Sequence, residues 1–262
     1  MNKNFNAATY WQERHQKTDL STVGYIGLGL PFNYWMYRVR EKVFNRAVLL
    51  EKINFNQVKV LDVGSGSGFY IKEWQNLGVK NITASDFSSN ALKQIKKTFH
   101  NIKTLKLDIT APAPNNLGKF DIISAFDILY HIIDDKKYHQ ALKNTHKLLK
   151  PKGIFIFSGN LPSKTRRARH QVSRSQKTIF SLLDKSRFEI RQIRPIFFLM
   201  NAPVCSQNYF FRVYWFILVN SLIRFNFLGY IFGPLFYPLE LFLALTCRTG
   251  PSTKIVICQR KN

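Results

Sequence analysis

The sequence predicts an α/β fold in which a parallel sheet is covered on both faces by helices. From about residue 58 to residue 160, short apolar runs alternate with amphipathic stretches of helical length. Parallel neighbours in a sheet need crossover connections, usually helices, so this alternation is typical of such a sheet. The 262-residue chain is also 45% hydrophobic and 15% aromatic. This composition supplies a sizeable core and excludes a disordered or fibrous protein.

Each element follows from its own pattern of apolar residues. Ala91, Leu92, Ile95 and Phe99, for example, recur at helical spacing between two apolar runs. The predicted strands cover residues 58–64, 80–86, 102–108, 120–127, 153–159, 188–199 and 252–259. The predicted helices cover residues 38–53, 67–78, 90–100, 136–150 and 175–186.

The charge of the chain is strongly basic, with 39 Lys and Arg residues against 15 Asp and Glu, a formal net charge of +24. Such an excess points to a polyanionic partner, namely nucleic acid, a membrane surface or an acidic metabolite. Compositional drift in a chain rich in Asn, Ile and Phe is the alternative explanation.

The cysteines and the N-terminus indicate a compartment. Cys205, Cys247 and Cys258 are odd in number and lack ligand spacing, which disfavours a disulfide framework or a zinc site and favours a reducing cytoplasm. No apolar run follows the first charged residues, so the sequence predicts no secretory signal.

A glycine-rich loop follows the first predicted strand, with the spacing Asp62-x-Gly64-x-Gly66-x-Gly68. A sharp strand-to-helix turn needs glycines where φ is positive or where a ligand approaches the backbone. A dinucleotide-binding fingerprint would need glycine at position 69, which is Phe69. The spacing instead resembles motif I of the class I S-adenosylmethionine-dependent methyltransferases. An ordinary strand–helix turn is the alternative.

This resemblance covers about residues 38–160 and implies S-adenosylmethionine as cofactor. It places Asp62 at the methionine ammonium, Asp86 at the ribose hydroxyls and Asp108 at the adenine amino group. Three acids at the carboxyl ends of successive strands agree with it, because open α/β sheets bind their ligands there. The remaining candidate cofactor residues are Gly64, Ser65, Gly66, Gly68, Phe87, Ile109 and Phe126.

The resemblance also implies a Rossmann-like seven-stranded sheet whose last strand is antiparallel. We expect residues 1–262 to form a single methyltransferase domain, with an N-terminal helical cap and an apolar helical insertion between strands six and seven. Its predicted parts are the cap at 1–55, the cofactor-binding core at 56–200, the apolar lid or insertion at 201–249 and the final strand at 250–262.

Candidate catalytic residues follow the fourth strand, where Tyr130–His131 resembles a segment of small-molecule methyltransferases. Methyl transfer needs an aligned acceptor and exclusion of water, and a hydroxyl acceptor also needs a base. His131 suits that role because its ordinary pKa lies near neutrality. A histidine that caps or packs the following helix is the alternative. The absence of a convincing set of metal ligands in the sequence predicts metal-independent transfer.

Candidate substrate residues lie in the basic stretch 163–177 and in the aromatic N-terminus. Arg167, Arg169 and His170 follow the fifth strand, where arginine forks could clamp a carboxylate or phosphate. A solvated basic loop is the alternative. The first 37 residues are expected to fold back over the working edge of the sheet, and Tyr34 is the candidate there.

The apolar segment 209–246 is unusual, with three charged residues and 13 aromatic residues. Residues 225–246 approach the ~20 apolar positions that span a bilayer. Both ends of the segment return to one sheet, however, so a single span is excluded. A lid over an apolar acceptor pocket, a membrane-surface patch and a homodimer interface remain.

The predicted function is S-adenosylmethionine-dependent methyl transfer to a small, apolar or lipid-like acceptor, with oxygen as the expected atom. The enzyme is expected in the cytoplasm, with peripheral contact at the inner face of the membrane. One alternative is an RNA methyltransferase that uses the basic surface. The other is a non-catalytic membrane or partner-binding protein that keeps a relic methyltransferase fold.

Overall fold

The structure is a computed structural model that describes residues 10–12, 24–112 and 117–262. Within these residues the strands and helices follow the predicted alternation. The strands are β1 Lys59–Val63, β2 Asn81–Asp86, β3 Lys103–Lys106, β4 Phe120–Ala125, β5 Leu149–Gly159, β6 Arg166–Arg167, β7 Val172–Ser173, β8 Phe188–Pro195 and β9 Lys254–Arg260. The helices are α1 Gly29–Leu49, α2 Phe69–Asn76, α3 Ser89–Thr98, α4 Asp135–Leu148, α5 Gln176–Lys185, α6 Tyr209–Arg224 and α7 Gly229–Thr246.

The main sheet has seven strands in the order β3-β2-β1-β4-β5-β9-β8. β1 pairs in parallel with β2 and β4, and the parallel pairing continues outward to β3 and β5. The last strand runs antiparallel, which confirms the predicted Rossmann-like methyltransferase sheet. The order reverses between β1 and β4, and ligands of open α/β sheets bind at such a switch point.

The central strands are buried because helices cover both faces of a parallel sheet. Four of the five residues of β1 are buried, and Leu61, Ile123 and Phe155 belong to the hydrophobic core with no measurable exposure. Apolar side chains on α4 and α5, including Leu142 and Leu183, complete this core. The packing holds the carboxyl ends of β1, β2 and β4 side by side in fixed register.

The chain divides into two compact units. The first comprises residues 1–16, 53–193 and 256–262 and contains most of the sheet. The second comprises residues 17–52 and 194–255 and contains α1, α6 and α7. The helix that precedes β1 and the insertion that follows β8 therefore belong to the same unit, although the sequence analysis treats them as separate segments.

In the second unit, α7 packs closely along α1 because two glycines face that helix. A Cβ atom at Gly233 would lie 2.2 Å from Cδ1 of Trp35, and one at Gly229 would lie 2.9 Å from the Phe32 nitrogen. Trp35 also contacts the Tyr237 ring, with 5.1 Å between the ring centroids. A larger side chain at either glycine would separate the two helices.

The elements differ from the sequence-based predictions in several places, among them the start of β5 at Leu149 rather than at residue 153. α1 begins at Gly29 rather than Arg38, because the aromatic segment before Arg38 is itself helical. β8 ends at Pro195 rather than at residue 199, since the backbone N–H groups of residues 198–200 bond to a carboxylate of α7 instead of a neighbouring strand. The basic stretch contains the short β6–β7 hairpin.

Candidate active site

The glycine loop between β1 and α2 needs its glycines for two physical reasons. Gly64, Gly66 and Gly68 all have positive φ values, of 69°, 49° and 82°, a backbone conformation that other residues rarely adopt. Space is also limiting, because a Cβ at Gly64 would lie 2.1 Å from Cδ1 of Ile128. The loop therefore presents bare backbone at the carboxyl edge of the sheet.

Asp62 lies at the end of β1 and is 2% exposed. Its Oδ1 accepts a 2.6 Å hydrogen bond from the Ser124 hydroxyl, which in turn accepts one from Nε1 of Trp74 at 3.1 Å. Burial raises the pKa of the Asp62 carboxyl to about 6, since the charged form loses water. A nearby ammonium group would favour the charged form, so the site suits a cationic ligand.

Ser65 fixes the loop to the neighbouring strand. Its Oγ donates to the Asp62 carbonyl oxygen at 3.0 Å, and its N–H donates to the Ser85 carbonyl oxygen at 2.9 Å. The Gly64 N–H donates to the same Ser85 carbonyl oxygen at 2.7 Å. Ser65 is buried, so its role in the structure is to hold the loop rather than to display a hydroxyl.

Asp86 ends β2, next to β1 in the sheet, and is buried. Its two carboxylate oxygens accept from the backbone N–H groups of Gly66, at 3.1 Å, and Ser88, at 2.8 Å. Carboxylate oxygens only accept hydrogen bonds when ionised, so Asp86 is suited in chemical type to a ligand hydroxyl. The following residue, Phe87, is half-buried.

Asp108 and Ile109 follow β3 at the same edge of the sheet. The exposed Asp108 carboxylate accepts from the backbone N–H and the hydroxyl of Thr110, at 2.9 and 2.8 Å. Ile109 is buried, and its carbonyl oxygen accepts from Nδ2 of Asn144 on α4 at 2.7 Å. Sequence reasoning missed Asn144. The only sign of it in the sequence is a polar residue within a predicted helix.

Phe126 directly follows β4 and is buried. Its ring stacks on Tyr70 of α2, with 3.8 Å between centroids and 16° between the ring planes. The stack joins the helix after the glycine loop to the end of β4. Tyr70 was also missed by sequence reasoning, although it lies two residues after Gly68.

Asp127 is a further site residue that the sequence analysis did not select. It has a positive φ of 58°, which is uncommon for a residue other than glycine. Its Oδ1 accepts from the Tyr130 hydroxyl and the Ser158 hydroxyl, both at 2.9 Å. The rule that selected Asp62, Asp86 and Asp108 could have found it, because Asp127 also follows the carboxyl end of a central strand.

His131 lies in a single 3-10 turn after β4, together with Tyr130. Its Nδ1 is 3.0 Å from the carbonyl oxygen of His170. A carbonyl oxygen can only accept, so Nδ1 carries the proton and the lone pair of the neutral ring lies on Nε2. The edge of Trp11 contacts the ring, with a centroid distance of 4.7 Å. This tautomer is the one that a base acting through Nε2 requires.

The N-terminal segment contacts this region at the residues that the structure describes there. Trp11 contacts His131, and the Tyr10 ring stacks on His170 with 5.8 Å between centroids. Residues 1–9 and 13–23 of the predicted fold-back lie outside the described part of the chain. Tyr34 belongs to the second compact unit, where its hydroxyl accepts from Nη1 of Arg38 at 3.3 Å.

The basic stretch is tied to the first turn of α4. Arg167 donates from Nη2 to Asp135 Oδ2 at 2.7 Å, and both side chains are about half exposed. Arg174 donates from Nε to Asp135 Oδ1 at 2.8 Å and is buried, with its guanidinium 4.0 Å from the Tyr138 ring centroid. These two arginines lower the pKa of the Asp135 carboxyl. Arg169 is exposed.

Among the residues that the structure describes, no three His, Cys, Asp or Glu side chains are grouped so that they could hold a metal ion. Asp134, which is adjacent to Asp135, caps α4 by accepting from the Lys137 N–H at 2.8 Å.

Taken together, a positive-φ glycine loop and four acids at the ends of adjacent strands, in a sheet of this order, define a class I methyltransferase fold. Residues 60–153 match the family model described as a methyltransferase domain. The predicted resemblance to the class I methyltransferases is thereby confirmed. The solved N-methyltransferase NodS from Bradyrhizobium japonicum, in complex with S-adenosylhomocysteine, has the same fold. Its TM-score is 0.60 at 15% identity, over 98% of this chain and 100% of that one.

Two curated relatives show the range of reactions associated with similar sequences. The chain is 26% identical to the malonyl-[acyl-carrier protein] O-methyltransferase of Buchnera aphidicola over 164 residues, which is 60% of each chain. It is 28% identical to the mRNA cap guanine-N(7) methyltransferase of Caenorhabditis elegans over 153 residues, 51% of this chain and 38% of the relative. The match therefore spans less than two thirds of either relative.

Proposed function

We propose that this protein transfers the methyl group of S-adenosylmethionine to a hydroxyl of a small, apolar or lipid-like acceptor. The observation that carries the proposal is the row of Asp62, Asp86 and Asp108 beside a bare glycine loop. The carboxyl ends of β1, β2 and β3 are adjacent in the sheet, so one extended ligand could contact all three acids.

The donor set fits S-adenosylmethionine by its chemistry. Asp62 is a buried carboxylate suited to the methionine ammonium, and Asp86, a carboxylate at the end of the neighbouring strand, would accept from the ribose hydroxyls. Asp108, with the loop at Ile109, would accept from the adenine amino group. When bound, the cofactor supplies an activated methyl group. The glycine loop offers backbone instead of a charged side chain, which suits a ligand without phosphates.

The chain's own residues would then align the acceptor and remove its proton. We assign the base to Nε2 of His131, because the contact of Nδ1 with the His170 carbonyl fixes the required tautomer. Tyr130 and Asp127, joined by a hydrogen bond at the end of β4, would hold the segment in place. Arg169 and Arg167 would offer positive charge to an anionic part of the acceptor, with Arg167 released from Asp135 when such a group binds.

The relatives support a small acceptor without identifying it, since one of them is named as acting on malonyl-[acyl-carrier protein]. An RNA acceptor is the second candidate, which the +24 charge and the likeness to a cap methyltransferase favour. The cytoplasm, with contact at the inner membrane face, is the location that we propose.

Partition of a methyl label tests this function. Purified protein is incubated with methyl-labelled S-adenosylmethionine and an extract from a host that lacks the gene, and the label is separated into organic, aqueous and RNA fractions. We expect label in the organic fraction, and an Asp86→Asn variant should abolish it while Asp121→Asn, on the same sheet, should not. Label only in RNA would replace the small acceptor with RNA. The absence of any labelled product other than the methyl donor itself would contradict methyl transfer.

A further inference from the structure

One face of α7 is a continuous apolar stripe that the described residues leave uncovered. Ile231, Leu235, Leu239 and Phe242 recur at intervals of three or four residues and form this stripe, here called the outer apolar face. Each of them is more than half exposed, from 51% for Leu239 to 64% for Leu235. Since residues at such intervals lie on one side of a helix, they form a single surface.

This surface is not the core side of the helix. The opposite side of α7 holds Gly229 and Gly233 against α1, and it buries Glu240 and Ala244. Over Asn226–Thr246, which is long and apolar enough by composition to cross a membrane, only 22% of the most apolar window is buried. An ordinary core helix of a soluble protein would bury most of it. The outer apolar face therefore lacks a partner among the described residues.

The charged residues near α7 indicate which partner the outer apolar face would bind. From residue 190 to the end of the chain the only acidic residue is Glu240, and it is fully buried. Arg224 precedes the turn into α7 and Arg248 follows its end, and both are exposed. An apolar face with an arginine at each end and no exposed acid in this part of the chain complements an anionic bilayer, where apolar side chains enter and arginines reach the headgroups.

A second copy of the chain would complement this face less well. It would bring the same arginines together without an acid between them, and each copy carries a net charge of +24. Like charges at an interface oppose association. An anionic lipid surface supplies both the apolar environment and the negative charge.

The geometry favours a helix that lies in the membrane plane over one that spans the membrane. The segments before α6 and after α7 both continue into neighbouring strands of one sheet, β8 and β9, so a single span is excluded. A spanning hairpin would have to remove α7 from α1. That would break the Trp35–Tyr237 contact and the bonds that Glu240 accepts from the N–H groups of residues 198–200.

We infer that the outer apolar face of α7 is a docking surface for an anionic lipid bilayer, with the helix parallel to the membrane and Arg224 and Arg248 at the headgroups. This inference goes beyond the proposed methyl transfer and is independent of it. Binding to lipid requires neither cofactor nor acceptor, so a protein without transferase activity would still dock.

Vesicle flotation with the full-length protein tests the docking surface. The vesicles contain either equal parts of phosphatidylglycerol and phosphatidylcholine or phosphatidylcholine alone. We expect the protein to float with the anionic vesicles much more than with the neutral ones. The double variant Leu235→Glu/Phe242→Glu should lower the partition constant by at least about tenfold. Arg224→Gln/Arg248→Gln should lower it by about fivefold for each arginine on anionic vesicles only.

The matched control is Leu49→Glu/Leu50→Glu, which places two charges at exposed leucines of the same unit that are not part of the outer apolar face. It should float like the original protein. If the glutamate variant of α7 fails to fold, Leu235→Ser/Phe242→Ser serves in its place and should show the same loss in weaker form. Equal flotation of this variant and the original protein would overturn the inference. So would a dimer that sediments in the absence of lipid, does not float and dissociates in the α7 variant.

Discussion

The His131 ring shows how one hydrogen bond sets the chemistry available to a side chain. The His170 carbonyl holds the proton on Nδ1, and Trp11 packs edge-on against the ring. The neutral ring therefore presents its lone pair at Nε2. Such a group can accept a proton from a hydroxyl while its orientation is kept by the contacts on its other side.

We predict that His131→Gln lowers kcat for methyl transfer by about 10²- to 10⁴-fold, the usual contribution of a general base. The dissociation constant for S-adenosylmethionine should be unchanged, because His131 is not among the residues predicted to contact that ligand. The measurement is the initial rate of label transfer, together with a binding titration. His100→Gln, at an exposed histidine, is the control. A His131 variant with full activity would leave the ring with a packing role only.

At the scale of an element, the Glu240 side chain joins α7 to the segment after β8. Its Oε1 accepts from the Phe198 N–H, and its Oε2 accepts from the Leu199 and Met200 N–H groups. Burial nevertheless raises the pKa of this carboxyl to about 7. The proline at position 195 ends β8, and Glu240 then supplies the acceptors that a continuing strand would have found in its neighbour.

We predict that Glu240→Gln destabilises the protein by about 1–3 kcal/mol, because an amide NH₂ would face a backbone N–H and leave a buried donor unsatisfied. The pKa of Glu240 is higher in the folded state than its ordinary value of 4.5. The folded state thus binds the proton more tightly, and Glu240 contributes stability below about pH 4.5 that is lost as the pH rises to about 7.

Urea unfolding across this pH range measures both effects through tryptophan fluorescence. The variant should lose the part of the pH dependence that comes from Glu240, whereas Glu189→Gln, at an exposed glutamate of β8, should retain it. A Glu240→Gln protein with the original stability and the original pH profile would refute this role of the buried carboxylate.

The elements also show what the sequence can predict. Strand and helix order in the sheet region follow from local apolar periodicity, and the glycine spacing identifies the loop, because positive φ is a property of single residues. The start of α1 and the end of β8 were predicted wrongly, since both depend on tertiary contacts. Asp127 was missed although the strand-end rule applied to it. Asn144 and Tyr70 have partners distant in the sequence, which no local pattern indicates.

At the scale of the whole molecule, the two compact units differ in how far their structure follows from local sequence patterns. The first contains most of the sheet and every candidate cofactor residue, and its order follows from the α/β pattern. The second joins α1 to α6 and α7, which are separated in the sequence by nearly the entire sheet. In the sequence, the only sign that α7 pairs with α1 is the presence of glycines in α7, which are small enough to admit Trp35. The apolar insertion was recognised in the sequence, but its helical partner was not.

The net charge of +24 is likewise a property of the whole molecule. It is spread over the chain, whose 15 acidic residues cannot pair one to one with 39 basic residues; Arg167 and Arg174, for example, share Asp135. A distributed charge of this kind attracts any polyanion, so it does not by itself distinguish RNA from anionic lipid. The uncovered apolar face of α7 favours lipid.

The central claim, that the carboxyl edge of the sheet holds S-adenosylmethionine, is tested most directly by calorimetric titration at several pH values. We predict one binding site, with an affinity that is constant above about pH 6 and falls about tenfold per pH unit below it, because protonation of Asp62 removes the charge that faces the ammonium. Asp62→Asn should bind more weakly and lose this pH dependence, whereas Asp121→Asn should not. No binding by the original protein, or Asp62→Asn binding as tightly as the original, would contradict the account.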